Sequence, residues 1–192
     1  MRLVERHIIK DNRFEDICLK SGLLYNYVLY LVRQGIFNKE YLKEYDLSTK
    51  LGRENQFDFR NLPCNVSQQV VGQVFKSINS WIKLKKDFEK NPAKYNNCRP
   101  HLPSYKKGKK QNMVVFTTNT CRVKEGYIYF VKNIIQPIKT KIGDGKLCQV
   151  RIIPQATCYV VEVIYEKKEQ DLNLNKDNVL SIDLGLNNLC SC

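Results

Sequence analysis

One carboxylate near the carboxyl end of the chain has the setting that metal-dependent chemistry requires. Asp183 follows a mostly apolar run at 179–182, and Gly185 comes two residues later. A rigid strand can hold a carboxylate in place as a Mg²⁺ ligand, and a glycine lets the backbone turn close to a phosphate. Two-metal cleavage of phosphodiesters needs several carboxylates around the ions. Asp183 therefore predicts one part of such a site, with a simple turn residue as the alternative.

The phosphate loop of an ATPase is another interpretation of the same residues. Actin and Hsp70-like ATPases carry a similar Asp-Leu-Gly loop, in which threonine hydroxyls after the glycine meet the ATP phosphates. Residues 186–189 of this chain are Leu-Asn-Asn-Leu and supply no hydroxyl. An ATPase loop is therefore only a remote alternative.

The charge of the chain indicates a polyanion as its partner. The sequence contains 32 Lys and Arg residues against 19 Asp and Glu residues, which gives a formal net charge of +13. The excess is spread along the chain, as expected for a surface that displaces counterions from a phosphate backbone. A basic protein without such a partner is the alternative, but self-repulsion would then oppose its compact state.

Positive charge is most concentrated at residues 99–110. Prolines in this segment exclude a regular helix, so the sequence predicts a basic loop. Flexible lysines suit contacts with phosphates, and a tyrosine beside them suits stacking on a base. A basic loop that contacts only solvent is the alternative. The candidate nucleic-acid ligands in this loop are Tyr105, Lys106, Lys107, Lys109 and Lys110.

Hydrophobic periodicity predicts a first strand followed by helices. Residues 1–10 are rich in Val, Ile and Leu and read as a strand. A capping box of Asn12 and Glu15 is predicted to begin a helix that ends at Gly35. Apolar residues at steps of four and three predict a second long helix, which Pro63 opens and which runs to about residue 90.

The remaining segments predict short elements. A shorter helix is expected around 38–45, followed by a charged connection at 50–61. Residues 113–117, 127–131, 147–153 and 159–165 read as strands, because β-branched and aromatic runs are separated there by Gly, Pro and Asn turns. The predicted order is one strand, several helices and then several strands.

The composition argues against several classes of protein. No stretch approaches the uninterrupted apolar length of a membrane helix, and charges fall where a signal peptide needs an apolar core. The eight cysteines form no C-x-x-C pair, which argues against a structural zinc site. We therefore expect an intracellular protein with reduced thiols, without zinc and without a membrane partner.

Four short segments form an ordered series of motifs. They are Leu-Tyr-Asn at 24–26 with Arg-Gln at 33–34, Leu-Pro-Cys-Asn-Val-Ser-Gln-Gln at 62–69, Pro-Ser-Tyr-Lys-Lys at 103–107, and Ser-Ile-Asp-Leu-Gly-Leu-Asn-Asn-Leu at 181–189. Together they resemble the first helical motif, the recognition helix, the proline and lysine loop and the first RuvC motif of the TnpB (OrfB) family. Its members are RNA-guided DNA endonucleases that insertion sequences encode, related to type V CRISPR nucleases. The resemblance covers essentially the whole chain.

The resemblance implies an α+β fold in which a helical recognition lobe interrupts a wedge-type β-barrel. The lobe is expected to be helix-turn-helix-like. The implied parts are a first wedge strand at 1–10, the helical lobe at 11–98, the wedge barrel at 99–170, and a linker with the first strand of a RuvC-like (RNase H-like) domain at 171–192. The family needs two later acidic motifs and a zinc-binding cysteine cluster that this chain lacks. We therefore expect a truncated nuclease that does not cut DNA alone.

Two nucleic-acid partners are implied by the same resemblance. A guide RNA is gripped by the wedge and RuvC parts, and double-stranded target DNA is read at a short adjacent motif, while base pairing supplies the remaining specificity. Mg²⁺ is the implied cofactor, bound by Asp183 only where further carboxylates complete the site. The implied location is the cytoplasm of a prokaryotic cell, at the nucleoid.

Residues near the start of the predicted recognition helix are candidates for reading bases. Gln68, Gln69 and Asn65 carry side-chain amides, which pair with adenine through two hydrogen bonds. An exposed amide that contacts only solvent is the alternative for each. Arg33, on the first helix, is a candidate phosphate contact.

A stand-alone protein that binds or regulates nucleic acid is the second function class. It would use the same wedge and helices, and its single RuvC strand would be vestigial. A continuation of the sequence beyond Cys192 that carries Glu and Asp motifs and C-x-x-C pairs would indicate a split or truncated nuclease instead of this class.

Overall fold

Residues 1–169 are described by the structure, a computed structural model, and they fold into two antiparallel sheets and four α-helices. The α+β class predicted from the sequence is confirmed. The linker and RuvC-like strand predicted at 171–192 lie outside the described residues. In chain order the elements are β1 (Arg2–Ile9), α1 (Glu15–Phe37), α2 (Glu44–Arg53), α3 (Phe57–Arg60), α4 (Cys64–Lys90), β2 (Val114–Thr117), β3 (Cys121–Lys124), β4 (Tyr127–Phe130), β5 (Ile138–Lys139), β6 (Lys146–Pro154) and β7 (Tyr159–Glu166).

The larger sheet joins the first strand of the chain to later ones. Its strand order is β1-β7-β6-β2, and all neighbours are antiparallel. β1 pairs with β7 along its whole length, from Arg2 opposite Glu166 to Ile9 opposite Tyr159. β7 is rich in valine and buried on both faces, as suits a central strand. The four helices are therefore inserted between two strands of one sheet.

The smaller sheet has the order β3-β4-β5 and meets the larger one through side chains. The rings of Phe116 and Phe130 pack edge to face across the two sheets, with centroids 4.8 Å apart. The Glu5 carboxylate accepts hydrogen bonds from the Thr140 hydroxyl at 2.6 Å and from the backbone N–H of Lys141 at 3.0 Å. Within residues 1–169 no ladder of backbone bonds joins the sheets, so the predicted β-barrel is not closed in this part of the chain.

Helix α4 is the central helix of the helical layer. Val66, Val70 and Val74 follow one another at steps of four and are fully buried, which confirms the predicted apolar stripe. The helix packs against α1, α2 and β2 and ends at Lys90, shortly before Pro92. None of the helices in residues 1–169 has both the length and the apolar character needed to cross a membrane.

The start of α1 differs from the sequence prediction. Phe14 is the N-cap residue and makes no side-chain capping bond, so the predicted capping box of Asn12 and Glu15 is wrong. The Glu15 N–H instead donates to the Asn12 carbonyl at 2.9 Å. The Phe14 ring is fully buried and lies edge-on to Tyr159, with centroids 5.6 Å apart. Burial of this aromatic residue, instead of a polar cap, positions the beginning of the helix.

The end of α1 is also later than predicted. The helix continues past Gly35 and ends at Phe37. A side chain at Gly35 would collide with the carbonyl oxygen of Glu40, and the Glu40 N–H donates to the Gly35 carbonyl at 2.7 Å. The glycine therefore admits the returning chain beside the last turn of the helix.

Short elements occur where the sequence predicts other structure. The helix predicted at 38–45 is wrong, because α2 begins at Glu44 and ends at Arg53. The segment 50–61, predicted as a connection, contains the end of α2 and all of α3. Leu47 and Leu51 are buried one turn apart, but two apolar residues among charges give too weak a period to place a helix. The sequence did not predict strands β3 and β5. The structure confirms the five predicted strands, which are β1, β2, β4, β6 and β7.

Candidate nucleic-acid interface

The basic loop, residues 99–110, is attached to both long helices through its backbone. The indole N–H of Trp81 on α4 donates to the Pro100 carbonyl at 3.1 Å. On α1, the side-chain amide of Asn26 donates to the Lys106 carbonyl at 3.1 Å and accepts from the Lys106 N–H at 2.7 Å. One amide thus satisfies both backbone groups of a loop residue and fixes the position of the loop on α1. The loop contains neither helix nor strand, as predicted.

A buried polar network fixes the chain just after the loop. The backbone N–H of Asn112 donates to the Cys18 carbonyl at 3.0 Å. Its side-chain amide donates to the Gln73 side chain at 2.8 Å and to the Ser21 hydroxyl at 3.1 Å. Asn112 is buried, so these bonds replace the water that its amide would otherwise contact. They connect α1 and α4 to the start of β2.

Gly22 lets the loop backbone approach α1 closely. A Cβ atom at this position would overlap the carbonyl oxygen of Lys110 and would lie 2.7 Å from its carbonyl carbon. Glycine in the middle of a helix lowers its intrinsic stability by about 1 kcal/mol relative to alanine. This cost is offset here by close contact between the helix and the loop.

The four lysines of the loop have two different environments. Lys107, Lys109 and Lys110 are exposed. Lys106 is half-buried, its ammonium nitrogen lies 4.7 Å from the centre of the Tyr25 ring, and burial lowers the pKa of Lys106. An ammonium over an aromatic face gains a cation–π interaction. Three predicted lysines are therefore open to a phosphate, and the fourth also packs against α1.

Arg33 and Tyr105, both predicted ligands, lie against each other beside Lys106. The Arg33 guanidinium carbon is 5.0 Å from the centre of the Tyr105 ring, and Tyr105 is 37% exposed. A guanidinium that lies over the face of a ring can still donate its N–H groups to a phosphate. The structure therefore brings Arg33, Tyr105 and the loop lysines onto one surface, formed by α1 and the basic loop.

Gln68 and Gln69 lie in a different place, a cleft of about 860 Å³ between the start of α4 and the neighbouring short helices. Tyr45 of α2 and Arg60 of α3 also line this cleft. Its amide, phenol and guanidinium groups match the side chains that contact bases and phosphates. Asn65 lines an adjoining depression of about 340 Å³ that shares Arg60 and Cys64 with the cleft. Asn65 precedes Gln68 and Gln69 by three and four positions on α4, so the three predicted base-reading residues lie on one side of the helix.

The sequence-based candidates did not include a row of lysines on α4. Lys76, Lys83 and Lys90 are exposed and follow one another at intervals of seven residues. Residues seven apart on an α-helix differ by only about 20° in direction, so this spacing was readable from the sequence. Asn26, which fixes the loop, lies within a quoted motif, but its bonds to Lys106 join residues 80 positions apart and have no local signal.

In the described part of the chain, the side chains that could bind a metal ion are not grouped together. Asp183, the predicted Mg²⁺ ligand, lies outside residues 1–169. Within those residues no three or more His, Cys, Asp or Glu side chains form a group that could hold a metal ion. Cys18 and Cys121 are buried, and burial raises the pKa of each thiol to about 12. Both thiols therefore stay protonated and unreactive at neutral pH.

No family model matches the sequence, and no curated protein shows significant similarity to it. Function is therefore inferred from the motifs, the charge and the geometry of the two surfaces.

Proposed function

We propose that the chain binds nucleic acid through the basic loop and the adjoining face of α1. The observation that carries this proposal is the attachment of the loop backbone through Asn26, while Lys107, Lys109 and Lys110 remain exposed. A backbone that is already fixed loses less conformational freedom on binding than a free loop does. The geometry therefore favours contact with a polyphosphate over a loop that contacts only solvent.

Arg33 and Tyr105 extend the surface with two further kinds of contact. The guanidinium adds a second type of phosphate donor, and the partly exposed ring offers a face on which an unpaired base can stack. RNA is usually recognised through single-stranded loops whose bases stack on aromatic or arginine side chains. The combination supports structured RNA as the partner of this surface.

We infer further that the chain acts as the RNA-binding and DNA-binding part of a TnpB-like, RNA-guided nuclease. The topology supports this inference, because β1 shares a sheet with β2, β6 and β7 while all four helices are inserted between β1 and β2. The same order is implied for a wedge-type domain that a helical recognition lobe interrupts. In this proposal guide RNA and target DNA are the partners, the cleft at Gln68 and Gln69 faces the DNA, and Asp183 contributes one ligand for Mg²⁺.

The salt dependence of RNA binding tests the proposal. Lys107, Lys109 and Lys110 are replaced together by glutamine, and filter binding of a structured RNA is measured between about 50 and 200 mM salt. Each lost phosphate contact reduces the steepness of the fall of log affinity with log salt by about 0.7 to 0.9. The expected decrease in slope is therefore about 2 to 3.

A matched control removes the same charge from lysines that are already paired. Lys20, Lys50 and Lys124 lie 2.6, 3.9 and 3.5 Å from the carboxylates of Asp16, Glu54 and Glu125. Replacing these three by glutamine should leave the slope nearly unchanged. An equal decrease in both variants, or no decrease in the loop variant, would refute the basic loop as a phosphate contact.

A further inference from the structure

The lysine row on α4 is straight and exposed. Lys76, Lys83 and Lys90 project from nearly one line of the helix, because each interval of seven residues turns the direction by only about 20°. With a rise of about 1.5 Å per residue, the row is about 21 Å long. Gln69, which lines the cleft, stands one further interval of seven residues toward the start of the helix. The row therefore leads away from the cleft along α4.

The positive charge of the row is only partly balanced by its own helix. α4 contains two acidic residues, Asp87 and Glu89, and other cations engage both. The Asp87 carboxylate accepts a hydrogen bond from the Lys94 ammonium at 2.7 Å, and the Glu89 carboxylate lies 3.7 Å from the Lys85 ammonium. Lys90 also contributes to the lowered pKa of the Asp87 carboxyl through its charge, so Lys76 and Lys83 are the members of the row whose charge is most available to a polyanion.

The residues around the row indicate what kind of polyanion fits. Asn79 and Ser80 are exposed between the first two lysines, and amides and hydroxyls commonly contact phosphate oxygens. The sequence of α4 from 76 to 90 contains two aromatic residues, Trp81 and Phe88, and both are partly buried. Proteins that grip single strands rely on exposed aromatic side chains for base stacking. The basic loop has such a residue in Tyr105, but the α4 row does not.

We propose that the outer face of α4 binds the phosphate backbone of a nucleic-acid double helix through Lys76, Lys83 and Lys90. A straight, rigid row of cations without a stacking platform complements a rigid duplex whose charge is evenly spaced along its axis. The inference rests on the proposed function, because it assigns duplex binding to α4 and the unpaired loops of a structured RNA to the basic loop. A duplex on this row would extend past Gln69 at the cleft.

The test compares a duplex with its single strand. The triple variant Lys76→Gln, Lys83→Gln, Lys90→Gln should keep its fold, since lysine and glutamine have nearly equal helix propensities and all three sites are exposed. The probes are a DNA duplex of about 20 base pairs, about 68 Å long, and one of its strands. For the duplex, the slope of log affinity against log salt should become about 2 to 3 units less steep in the variant than in the unmodified chain. For the single strand the slope should be unchanged.

The possible outcomes separate this inference from the proposed function. The control variant Lys20→Gln, Lys50→Gln, Lys124→Gln should bind the duplex like the unmodified chain. An unchanged duplex slope in the α4 variant would overturn the inference, while the loop variant still tests the proposed function by its effect on RNA. Equal decreases for duplex and single strand would overturn the assignment of this face to a double helix. Failure of the unmodified chain to bind any nucleic acid would overturn both proposals.

Discussion

Replacing Gly22 with alanine has two effects on the stability of the fold, and they are opposite in sign. A change from glycine to alanine inside a helix stabilises it by about 1 kcal/mol through backbone propensity. At Gly22, however, the new Cβ would overlap the Lys110 carbonyl oxygen and lie 2.7 Å from the Lys110 carbonyl carbon and 3.3 Å from that of Gln111. These are backbone atoms, which cannot rotate away as a side chain can. Helix α1 and the basic loop would therefore have to separate.

The size of the effect follows from the contacts that separation disturbs. Overpacking of a core contact costs about 1 to 3 kcal/mol. The nearby bond from the Asn112 N–H to the Cys18 carbonyl, 3.0 Å long, would be strained or lost, and an unsatisfied buried group costs about 1 to 3 kcal/mol. After subtraction of about 1 kcal/mol for helix propensity, Gly22→Ala should destabilise the fold by about 1 to 5 kcal/mol.

Urea unfolding followed by circular dichroism measures this change, and Gly52→Ala is the matched control. At Gly52, in α2, an added Cβ would lie 3.7 Å from the Phe59 ring, which is an ordinary contact. Gly52→Ala should therefore stabilise the chain by up to about 1 kcal/mol. If Gly22→Ala were as stable as the unmodified chain or more stable, the loop would not lie against α1.

Three further predictions follow from single residues. Stability should fall as the pH rises from about 9 toward 12, by up to about 1.4 kcal/mol per pH unit for each buried thiol, because the folded chain keeps the protons of Cys18 and Cys121 that the unfolded chain releases. Urea unfolding at several pH values measures how steeply the free energy of unfolding falls with pH. This fall should be smaller when Cys18 and Cys121 are both replaced by alanine, and it should be unchanged in Cys64→Ala. Gln68→Ala should lower the discrimination among target-adjacent DNA motifs by about 1 to 3 kcal/mol, measured by competition binding, and leave the affinity for RNA unchanged. An equal loss of affinity for all DNA sequences would assign Gln68 to packing. Asn112→Ala should lower the free energy of unfolding by about 1 to 3 kcal/mol, since the buried Ser21 hydroxyl and the partly buried Gln73 amide oxygen lose their donor. An unchanged value would contradict the buried network.

Elements with a strong local pattern were predictable from the sequence. Val66, Val70 and Val74 mark α4 by their spacing alone, and the valine-rich run of β7 marks a buried strand. The pairing of β1 with β7 was not predictable in the same way, because Arg2 and Glu166 meet across 164 positions of sequence. Their register depends on which faces pack against the core.

At the start of α1 and at the candidate interface, packing and tertiary contacts likewise decide features that the local sequence does not reveal. Asn12 and Glu15 have the spacing of a capping box, but burial of Phe14 positions the helix start instead. The basic loop is visible in the composition, whereas its attachment depends on Asn26 and Gly22, whose partners lie about 80 to 90 residues away. Propensity alone marks Gly22 as a weak point of α1, and only the tertiary contact with Lys110 explains it.

Protection of the loop lysines by bound RNA tests the proposed interface most directly. Lysine amines are acetylated in the free chain and in the chain saturated with a structured RNA, and mass spectrometry measures the modification of each lysine. Lys107, Lys109 and Lys110 are exposed and should be acetylated less in the complex, whereas the paired Lys20 and Lys50 should be acetylated equally in both states. Equal acetylation of the three loop lysines with and without saturating RNA would contradict binding through the basic loop.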